Sequence, residues 1–256
     1  MFPFRLGTTS YIYPDSIVPN VSKLAPFLDE IELVLFESEG QDNYPDEVEL
    51  RNLMDFSLNG EVAFNIHLPI DIFLGDKDEE VRLRGISIAQ KVIERTLCLD
   101  PSLYTLHFDV RDKNGWEETD VEAWRERILR SANEMVGRGI ETKRIAIETL
   151  SYPFERIEDI IKKFGFSVCL DIGHMLIYNL DIQGYLKKYL PLTSIIHLHG
   201  AENGIDHLGI DRLNGKMIDL ILSKLQCFTG ILSIEVFSFG DLKNSLEVLE
   251  QKWKKK

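Results

Sequence analysis

Short apolar runs alternate regularly with longer segments of helical periodicity along this sequence, and the alternation leaves few folds open to it. The apolar runs are rich in branched residues. Several have so few polar positions that both faces of a strand would be covered, as in parallel sheets. These runs predict eight strands, at residues 4–9, 31–37, 62–68, 104–109, 144–150, 166–172, 194–199 and 230–237.

Amphipathic helical patterns follow these strands. Apolar residues recur every three or four positions after the third, fourth, fifth and eighth predicted strands, and Gly165 supplies a helix stop signal. The last apolar stripe begins just after Asp241, a residue type that caps helix N-termini. Segments 16–28 and 46–56 are weaker helix candidates, the first because two prolines interrupt it. With these included, a helix follows each strand.

Eight strand–helix units in series are typical of a (β/α)8 barrel, which needs about 250 residues. The chain has 256 residues, and no Pro/Gly/Ser-rich linker, repeat or change in composition divides it. The sequence therefore predicts an α/β protein with a single-domain (β/α)8 TIM barrel over residues 1–256. A doubly wound open sheet is the alternative, but the Gly-rich phosphate-binding turn of its commonest version is missing after the first strand.

Composition excludes several classes of protein. A hydrophobic fraction of 44% rules out intrinsic disorder, and a formal net charge of −13 disfavours binding to nucleic acid through its phosphates. No uncharged apolar run approaches the roughly 18 residues of a membrane span, and no secretory leader is recognisable. The basic cluster of Lys252 and residues 254–256 is interpreted as a solvated helix end.

The three cysteines, Cys98, Cys169 and Cys227, are widely separated and form no metal-binding or redox pair. Such spacing fits a reducing compartment. We therefore expect a cytoplasmic protein that acts on a small molecule and binds neither nucleic acid nor membrane. The exposed helices of a barrel would also allow a homodimer.

Side chains suited to metal binding stand where the predicted strands end, and the carboxyl ends of barrel strands meet at one rim. A single histidine at such a place is usually structural. Several acids inside apolar strands are costly to bury without a cation, and the basic residues at hand are few: Arg5, Arg111, Arg144 and Arg212. The sequence therefore predicts a metal site built from strand-end residues, namely His67, His107, Glu148, Asp171, His174, His199 and Glu235.

Carboxylate and imidazole ligands without a thiolate suit Zn, Mn, Co or Fe better than Ca or Mg. The candidates suffice for one to three divalent ions, and the sequence does not choose the number. His197 faces the same side of its strand as His199, since side chains alternate along a strand. Whether His197 is also a ligand stays open at this point.

This constellation resembles the xylose-isomerase-like barrel superfamily, which includes endonuclease IV and many sugar isomerases and epimerases. Glu148, Asp171, His199 and Glu235 match, in order, the residues with which that superfamily holds a divalent metal. Residues 171–174 resemble its Asp-x-x-His motif. Residues 197–203 are similar to the His-x-His-x-Gly-Glu stretch of ketose 3-epimerases.

Three further histidines match positions at which endonuclease IV recruits ligands for a trinuclear zinc cluster, namely His67, His107 and His207. That family shows Asp-x-His where this chain has Asp206 directly before His207, so the resemblance leaves the role of Asp206 open. A one-metal epimerase does not need these extra imidazoles. They therefore favour phosphodiester chemistry.

Residues 4–14, 18–20 and 31–37 resemble the start of the cobamide-remodelling phosphodiesterases. This resemblance implies cleavage of the nucleotide loop of a cobamide, a corrinoid coenzyme, to cobinamide phosphate and an α-riboside. The alternative is a sugar isomerase or epimerase with one divalent metal. An abasic-site endonuclease and a non-catalytic corrinoid- or sugar-binding barrel are weaker alternatives.

The expected roles of the site residues follow from that hypothesis. The catalytic residues are Glu148, Glu235 and His174. The metal ligands are His67, His107, Glu148, Asp171, His174, His199, His207 and Glu235. The predicted substrate contacts are Ser10, Tyr11, Tyr13, Arg111 and Arg212. Glu37 and Asp109 are candidates to orient ligand histidines.

Overall fold

The computed structural model describes residues 2–35, 37–38, 44–111, 116 and 119–254. Eight parallel strands form a closed barrel in which each strand pairs with the next along the chain, and the last pairs with the first. A separate antiparallel hairpin, β8 and β9, follows the seventh strand. In chain order the strands are β1 (Arg5–Thr9), β2 (Glu30–Val34), β3 (Ala63–His67), β4 (Tyr104–Leu106), β5 (Ile145–Glu148), β6 (Ser167–Asp171), β7 (Thr193–Leu198), β8 (Gly200–Glu202), β9 (Ile205–Leu208) and β10 (Ile231–Ile234).

The helices cover the outside of the barrel and confirm the predicted TIM barrel. They are α1 (Ile17–Leu24), α2 (Glu47–Leu58), α3 (Glu79–Thr96), α4 (Val121–Gly137), α5 (Glu158–Phe164), α6 (Ile172–Ile177), α7 (Ile182–Tyr189), α8 (Gly215–Lys224) and α9 (Phe239–Trp253). The two weaker helix predictions correspond to α1 and α2. None of the helices among the described residues is both long and apolar enough to cross a membrane.

Two insertions modify the regular strand–helix alternation, and the sequence did not predict either. The short helix α6 begins directly at the end of β6, before the barrel helix α7. The hairpin β8–β9 stands between β7 and α8. Both insertions lie at the carboxyl end of the barrel, so they extend the same rim on which the candidate ligands stand.

Several predicted boundaries were inexact. Seven of the eight barrel strands are shorter than their apolar runs, and the remaining one, β7, is as long as its run but begins one residue earlier. Position 36 of the second run lies outside the described residues, as do Lys255 and Lys256 of the predicted basic tail. Gly165 ends α5 with a left-handed φ of 68°, as expected. Asp241 is not the cap of α9, because Ser238 takes that position and its hydroxyl accepts the Asp241 N–H at 3.1 Å.

Inward-facing side chains divide the barrel interior into layers. An apolar layer of Leu103, Ala146, Cys169, Ile195 and Ile231 is buried apart from the larger core between strands and helices. Two residues further along the strands, the inward positions become polar. This change of polarity places the candidate site at the carboxyl end of the barrel.

The loop between β1 and α1 depends on one buried side chain, that of Asn20. Its Oδ1 accepts the backbone N–H groups of Ile12 and Tyr13 at 3.1 and 2.8 Å. Its Nδ2 donates to the carbonyls of Tyr13, Asp15 and Ser16 at 3.0–3.1 Å. A single fully buried amide therefore replaces the regular backbone pairing that this loop lacks.

Replacing Asn20 with Ala should lower the free energy of unfolding by about 1–3 kcal/mol, because buried backbone groups lose their partners. Urea denaturation measures this difference. Asn59→Ala is the matched control, since Asn59 is exposed and its side chain donates a hydrogen bond to the nearby Glu61 at 3.4 Å. Equal stability of the two variants would contradict the role assigned to Asn20.

Candidate metal centre

All six histidines of the chain lie at the carboxyl end of the barrel, around three carboxylates. The carboxylates are buried: Glu148 is 1% exposed, Asp171 0% and Glu235 6%. Glu148 and Asp171 are the last residues of β5 and β6, and Glu235 directly follows β10. Parallel strands thus bring together side chains that are far apart in the sequence, as predicted.

Glu148 lies at the centre of the first group of potential ligands. Its Oε2 atom is 3.2 Å from His67 Nε2 and 3.0 Å from His107 Nε2. His67 Nδ1 lies 2.8 Å from the Leu68 carbonyl, to which it can donate its proton. His67 Nε2 is then available to face Glu148 and a cation.

The second group consists of Asp171, His197 and Glu235, and it adjoins the first because His197 Nδ1 lies 3.6 Å from Glu148 Oε2. His197 Nδ1 is 3.2 Å from Glu235 Oε2 and 3.8 Å from Asp171 Oδ2. His199 Nε2 is 3.2 Å from the other oxygen of Asp171. The structure therefore brings His197, which the sequence left open, within reach of the same ion as the predicted ligands.

The third group combines His174, His199 and His207. His174 also joins this group to the first, because its Nδ1 is 3.2 Å from Glu148 Oε1. Asp206 stands at the outer edge, where its Oδ2 is 3.9 Å from His174 Nε2 and 3.8 Å from His207 Nε2. Asp206 is therefore close enough to become an additional ligand of an ion at this position.

The two insertions build this third group. The hairpin carries His207 in a left-handed conformation, with φ of 51°, which is unfavourable for a residue other than glycine. Its ring stacks on His199 with centroids 4.3 Å apart. Helix α6 places His174, and the Asp171 side chain caps that helix by accepting the His174 N–H at 2.6 Å.

Unpaired atoms in the centre fit a divalent cation. Five buried nitrogen and oxygen atoms have no hydrogen-bond partner of acceptable geometry among the described residues, although they lie close to one another. Leaving a buried polar atom unsatisfied costs about 1–3 kcal/mol. A cation ligated by these atoms removes that cost, and their mixed nitrogen and oxygen chemistry suits Zn, Mn, Co or Fe. The atoms are Asp171 Oδ2, His174 Nδ1, His197 Nδ1, His199 Nε2 and Glu235 Oε2.

The arginines that the sequence offered as neutralising partners form ion pairs elsewhere. Arg5 pairs with Glu30 at 2.7 Å, and Arg144 pairs with Asp100 at 3.1 Å. Arg111 pairs with Asp76 at 2.8 Å, and Arg212 lies 3.7 Å from both Glu202 and Asp211. The histidines are thus the cationic partners of the buried carboxylates.

This pairing shifts the pKa values of both partners. Burial opposes the ionisation of Glu148, but His107, His174 and His67 hold its pKa well below the ordinary value. Burial likewise disfavours the charged form of His174, yet the Asp171 and Glu148 carboxylates raise its pKa to about 10. Without an ion, the centre therefore balances its buried carboxylates with protons on histidine.

Two of the predicted substrate contacts, Ser10 and Tyr13, are engaged with other parts of the protein. Ser10 is fully buried, and its hydroxyl accepts the Val34 N–H at 3.3 Å. Tyr13 stacks on Phe239, with ring centroids 5.4 Å apart, in an apolar groove between α1 and α9.

The other three predicted contacts are at least partly accessible. Burial and the charge of Glu49 raise the pKa of Tyr11. Arg111 and Arg212 are about half exposed. Contact of these side chains with substrate stays a prediction.

The centre opens into a pocket of 440 Å³. Asp109 lies in this pocket, and burial raises its pKa. Glu37, the other residue considered for orienting a histidine, is exposed. The pocket is lined by Ile70, Asp71, Phe73, His107, Asp109, Val110, Leu150, Ser151, His174 and Tyr178.

Sequence reasoning missed the buried partner of His197, which is Glu32 on β2. Glu32 Oε1 lies 3.1 Å from His197 Nε2, and the side chain is fully buried. A signal was available, because Glu32 interrupts an otherwise apolar run in the second predicted strand. The predicted metal site drew only on residues at strand ends, whereas Glu32 lies inside its strand.

Gly173 should be essential for the orientation of His199. A Cβ atom at this position would overlap the His199 ring, so Gly173→Ala must displace that ring. We expect metal affinity to fall by about 10–100-fold, the usual effect of disturbing the surroundings of a ligand. Competition with a chromogenic chelator measures this change.

Gly240→Ala provides the matched control, because its Cβ atom would meet only Ser238 Oγ at 3.9 Å. Both glycines are in helices, where alanine is favoured by roughly 1 kcal/mol. Wild-type affinity in Gly173→Ala would show that His199 is not a ligand in this orientation.

Metal affinity should rise with pH. Histidines of raised pKa, such as His174 at about 10, carry protons at neutral pH, and an incoming cation must displace them. Each displaced proton makes the apparent affinity about tenfold stronger per pH unit. Chelator competition between about pH 6 and about pH 8, where histidine charge is ordinarily set, tests this expectation. Affinity independent of pH would contradict it.

Comparisons with known proteins agree with the geometry. Residues 28–252 match the family described as xylose isomerase-like TIM barrels. No curated protein matches the sequence significantly. A D-tagatose 3-epimerase-like protein is 23% identical, with a TM-score of 0.80 and coverage of 98% of this chain and 97% of the other.

Two further solved structures share the fold at lower identity. Endonuclease IV from Thermus thermophilus is 17% identical, with a TM-score of 0.70 and coverage of 98% and 100% of the two chains. The IolI protein with a binding zinc atom is 15% identical, with a TM-score of 0.73 and coverage of 98% and 97%. Since the family match spans most of the sequence, the chain belongs to the xylose isomerase-like TIM barrel family.

Proposed function

We propose that this chain is a metal-dependent phosphodiester hydrolase. The observation that carries the proposal is the presence of three neighbouring ligand groups in one centre, which two further groups that contain Glu148 connect. Every histidine of the chain belongs to at least one of these groups. One divalent ion occupies four to six ligand atoms, and this centre offers more than one ion needs. Sites with more than one cation are suited to clamping the oxygens of a phosphodiester.

Bound cations would neutralise phosphate oxygens and make a water molecule more acidic. Glu148 presents Oε2 to the first group and Oε1 to His174, so one carboxylate can serve two cation positions. Glu235 stays ionised because His197 and His207 outweigh the effect of burial and lower its pKa, so it can orient the attacking water. His174 lines the pocket and can hold a proton for the leaving oxygen.

The preferred substrate class is a cobamide, cleaved at its nucleotide loop. The N-terminal sequence resemblance supports this choice. The pocket supports a substrate that is largely neutral apart from one phosphodiester, because its described lining contains Asp71 and Asp109 but neither lysine nor arginine. A duplex DNA, with a phosphate at every nucleotide, would be repelled by such a surface and by the net charge of −13.

A sugar isomerase or epimerase is the second candidate, and the structural comparisons favour it over cobamide cleavage. The D-tagatose 3-epimerase-like protein has a higher TM-score than endonuclease IV, 0.80 against 0.70. In this candidate one cation would hold two adjacent sugar oxygens. Glu148 and Glu235 would exchange a proton with the carbon between those oxygens.

The deciding experiment offers a cobamide, an abasic duplex DNA and a panel of ketoses to the metal-loaded protein under reducing conditions. We expect release of a cobinamide phosphate and an α-riboside, together with two or three equivalents of bound metal. Glu148→Gln should lower the rate by at least about 100-fold, since it removes a central carboxylate. Glu141→Gln, an exposed acid ahead of β5, should leave the rate unchanged.

The possible outcomes separate the candidates. Ketose turnover without cobamide cleavage, with one equivalent of metal, would replace the hydrolase by the epimerase. Cleavage of abasic DNA alone would overturn the choice of a small substrate. If Glu148→Gln kept its turnover but lost ligand binding, Glu148 would be a binding residue. The catalytic role proposed for it would then be wrong.

A further inference from the structure

Glu32 is the hub of a buried hydrogen-bond network beneath the metal centre. It lies on β2, and its carboxylate accepts hydrogen bonds from three other strands. His197 Nε2 on β7 is 3.1 Å from Oε1, and Ser233 Oγ on β10 donates to Oε2 at 3.0 Å. Thr105 Oγ1 on β4 donates to Oε1 at 3.4 Å. All four side chains are fully buried.

This network determines which nitrogen of His197 faces the ligands. A carboxylate only accepts hydrogen bonds, so the His197 atom next to it, Nε2, must carry a proton. His197 Nδ1 is then the nitrogen left for the centre, 3.2 Å from Glu235 Oε2 and 3.6 Å from Glu148 Oε2. That atom is buried and, within the part of the chain that the structure describes, has no hydrogen-bond partner of acceptable geometry.

We propose that Glu32 is a positioning residue that holds His197 so that Nδ1 completes the cation site of Asp171 and Glu235. The arrangement is a line of carboxylate, imidazole and cation, in which the carboxylate fixes the ring and makes the facing nitrogen a better donor of electrons. Ser233 and Thr105 prevent the carboxylate from rotating away. The inference depends on the metal centre and not on which reaction it performs.

The cost of burial argues against a merely structural role for Glu32. A buried carboxylate without a cation is expensive, whereas apolar side chains fill a barrel interior at no such cost. Leu103, Ala146, Ile195 and Ile231 show that the layer below is filled with apolar side chains, and the other buried carboxylate of β2, Glu30, is paired with Arg5. Glu32 is instead placed directly behind a side chain of the centre.

A matched control lies two residues earlier on the same strand. Glu30 is also fully buried and faces the same side of β2. It accepts a hydrogen bond from Asn65 Nδ2 at 3.1 Å and pairs with Arg5 at 2.7 Å. Arg5 begins β1 at the opposite end of the barrel, and neither partner is one of the ligand residues, so Glu30→Gln removes a buried charge without removing a contact of the centre.

The test compares Glu32→Gln with Glu30→Gln in the full chain. Metal affinity is measured by chelator competition, and the geometry of the centre by the visible spectrum of bound Co²⁺. For Glu32→Gln we expect affinity lower by about 10–100-fold and an altered Co²⁺ spectrum. Glu30→Gln should keep the wild-type spectrum and affinity. Wild-type behaviour of Glu32→Gln, or equal losses in both variants, would overturn the proposal.

A double variant tests whether Glu32 acts through His197. His197→Asn keeps an oxygen or nitrogen near the position of Nδ1 but cannot reach Glu32. In that background, Glu32→Gln should cause no further loss of affinity. Independent, additive losses would show that Glu32 acts by another route.

A second set of variants distinguishes the proposed role of Glu32 from a general loss of folding. Thr105→Val and Ser233→Ala remove the two hydroxyl donors without changing a charge, and the pair should weaken metal binding in the same direction as Glu32→Gln. Unchanged metal binding in that pair would contradict the anchoring of Glu32. Because all these measurements read metal binding, their failure is distinguishable from failure to cleave a cobamide.

Discussion

Three carboxylates are buried at the carboxyl end of the barrel, and the other features of the site follow from their burial. Glu148, Asp171 and Glu235 are almost fully removed from water, and the arginines considered as their partners pair with other acids. Ionised groups in such a place require cations. The chain supplies imidazoles, which accept protons when no metal is bound and release them when a metal ion arrives.

Orientation of these imidazoles is achieved by groups outside the centre. Glu32 stands behind His197, and the Leu68 carbonyl stands behind His67. Gly173 leaves room for the ring of His199 against α6. The barrel strands thus provide the positions of the ligands, while loops, insertions and a buried carboxylate fix the directions of their nitrogens.

The choice between hydrolase and epimerase depends on how many of the ligand groups hold a cation. Glu148, Asp171, His199 and Glu235 would serve either activity. Under the proposed hydrolase, His67, His107, His174 and His207 would help to hold further ions. The hairpin and α6, which are additions to the basic barrel, carry His207 and His174. The chemistry therefore depends most on the parts of the structure that depart from the regular alternation.

Local sequence patterns were sufficient to establish the order of strands and helices and the end of the barrel at which the ligands stand. Both follow from periodicity, because apolar runs form parallel strands and parallel strands align their carboxyl ends. The same patterns identified seven of the eight predicted ligands, and the resemblance to endonuclease IV supplied His207. The structure brings all eight side chains together at one end of the barrel.

Which atoms face one another was settled by tertiary packing alone. Packing places His197 among the ligands and Glu32 behind it. It also places Asp206 at the edge of the third group and Tyr13 in a groove away from the ligands. These placements depend on side-chain rotamers and on loop paths between distant strands. Periodicity along one chain segment carries no information about either, since both are set by neighbours that are close only after folding.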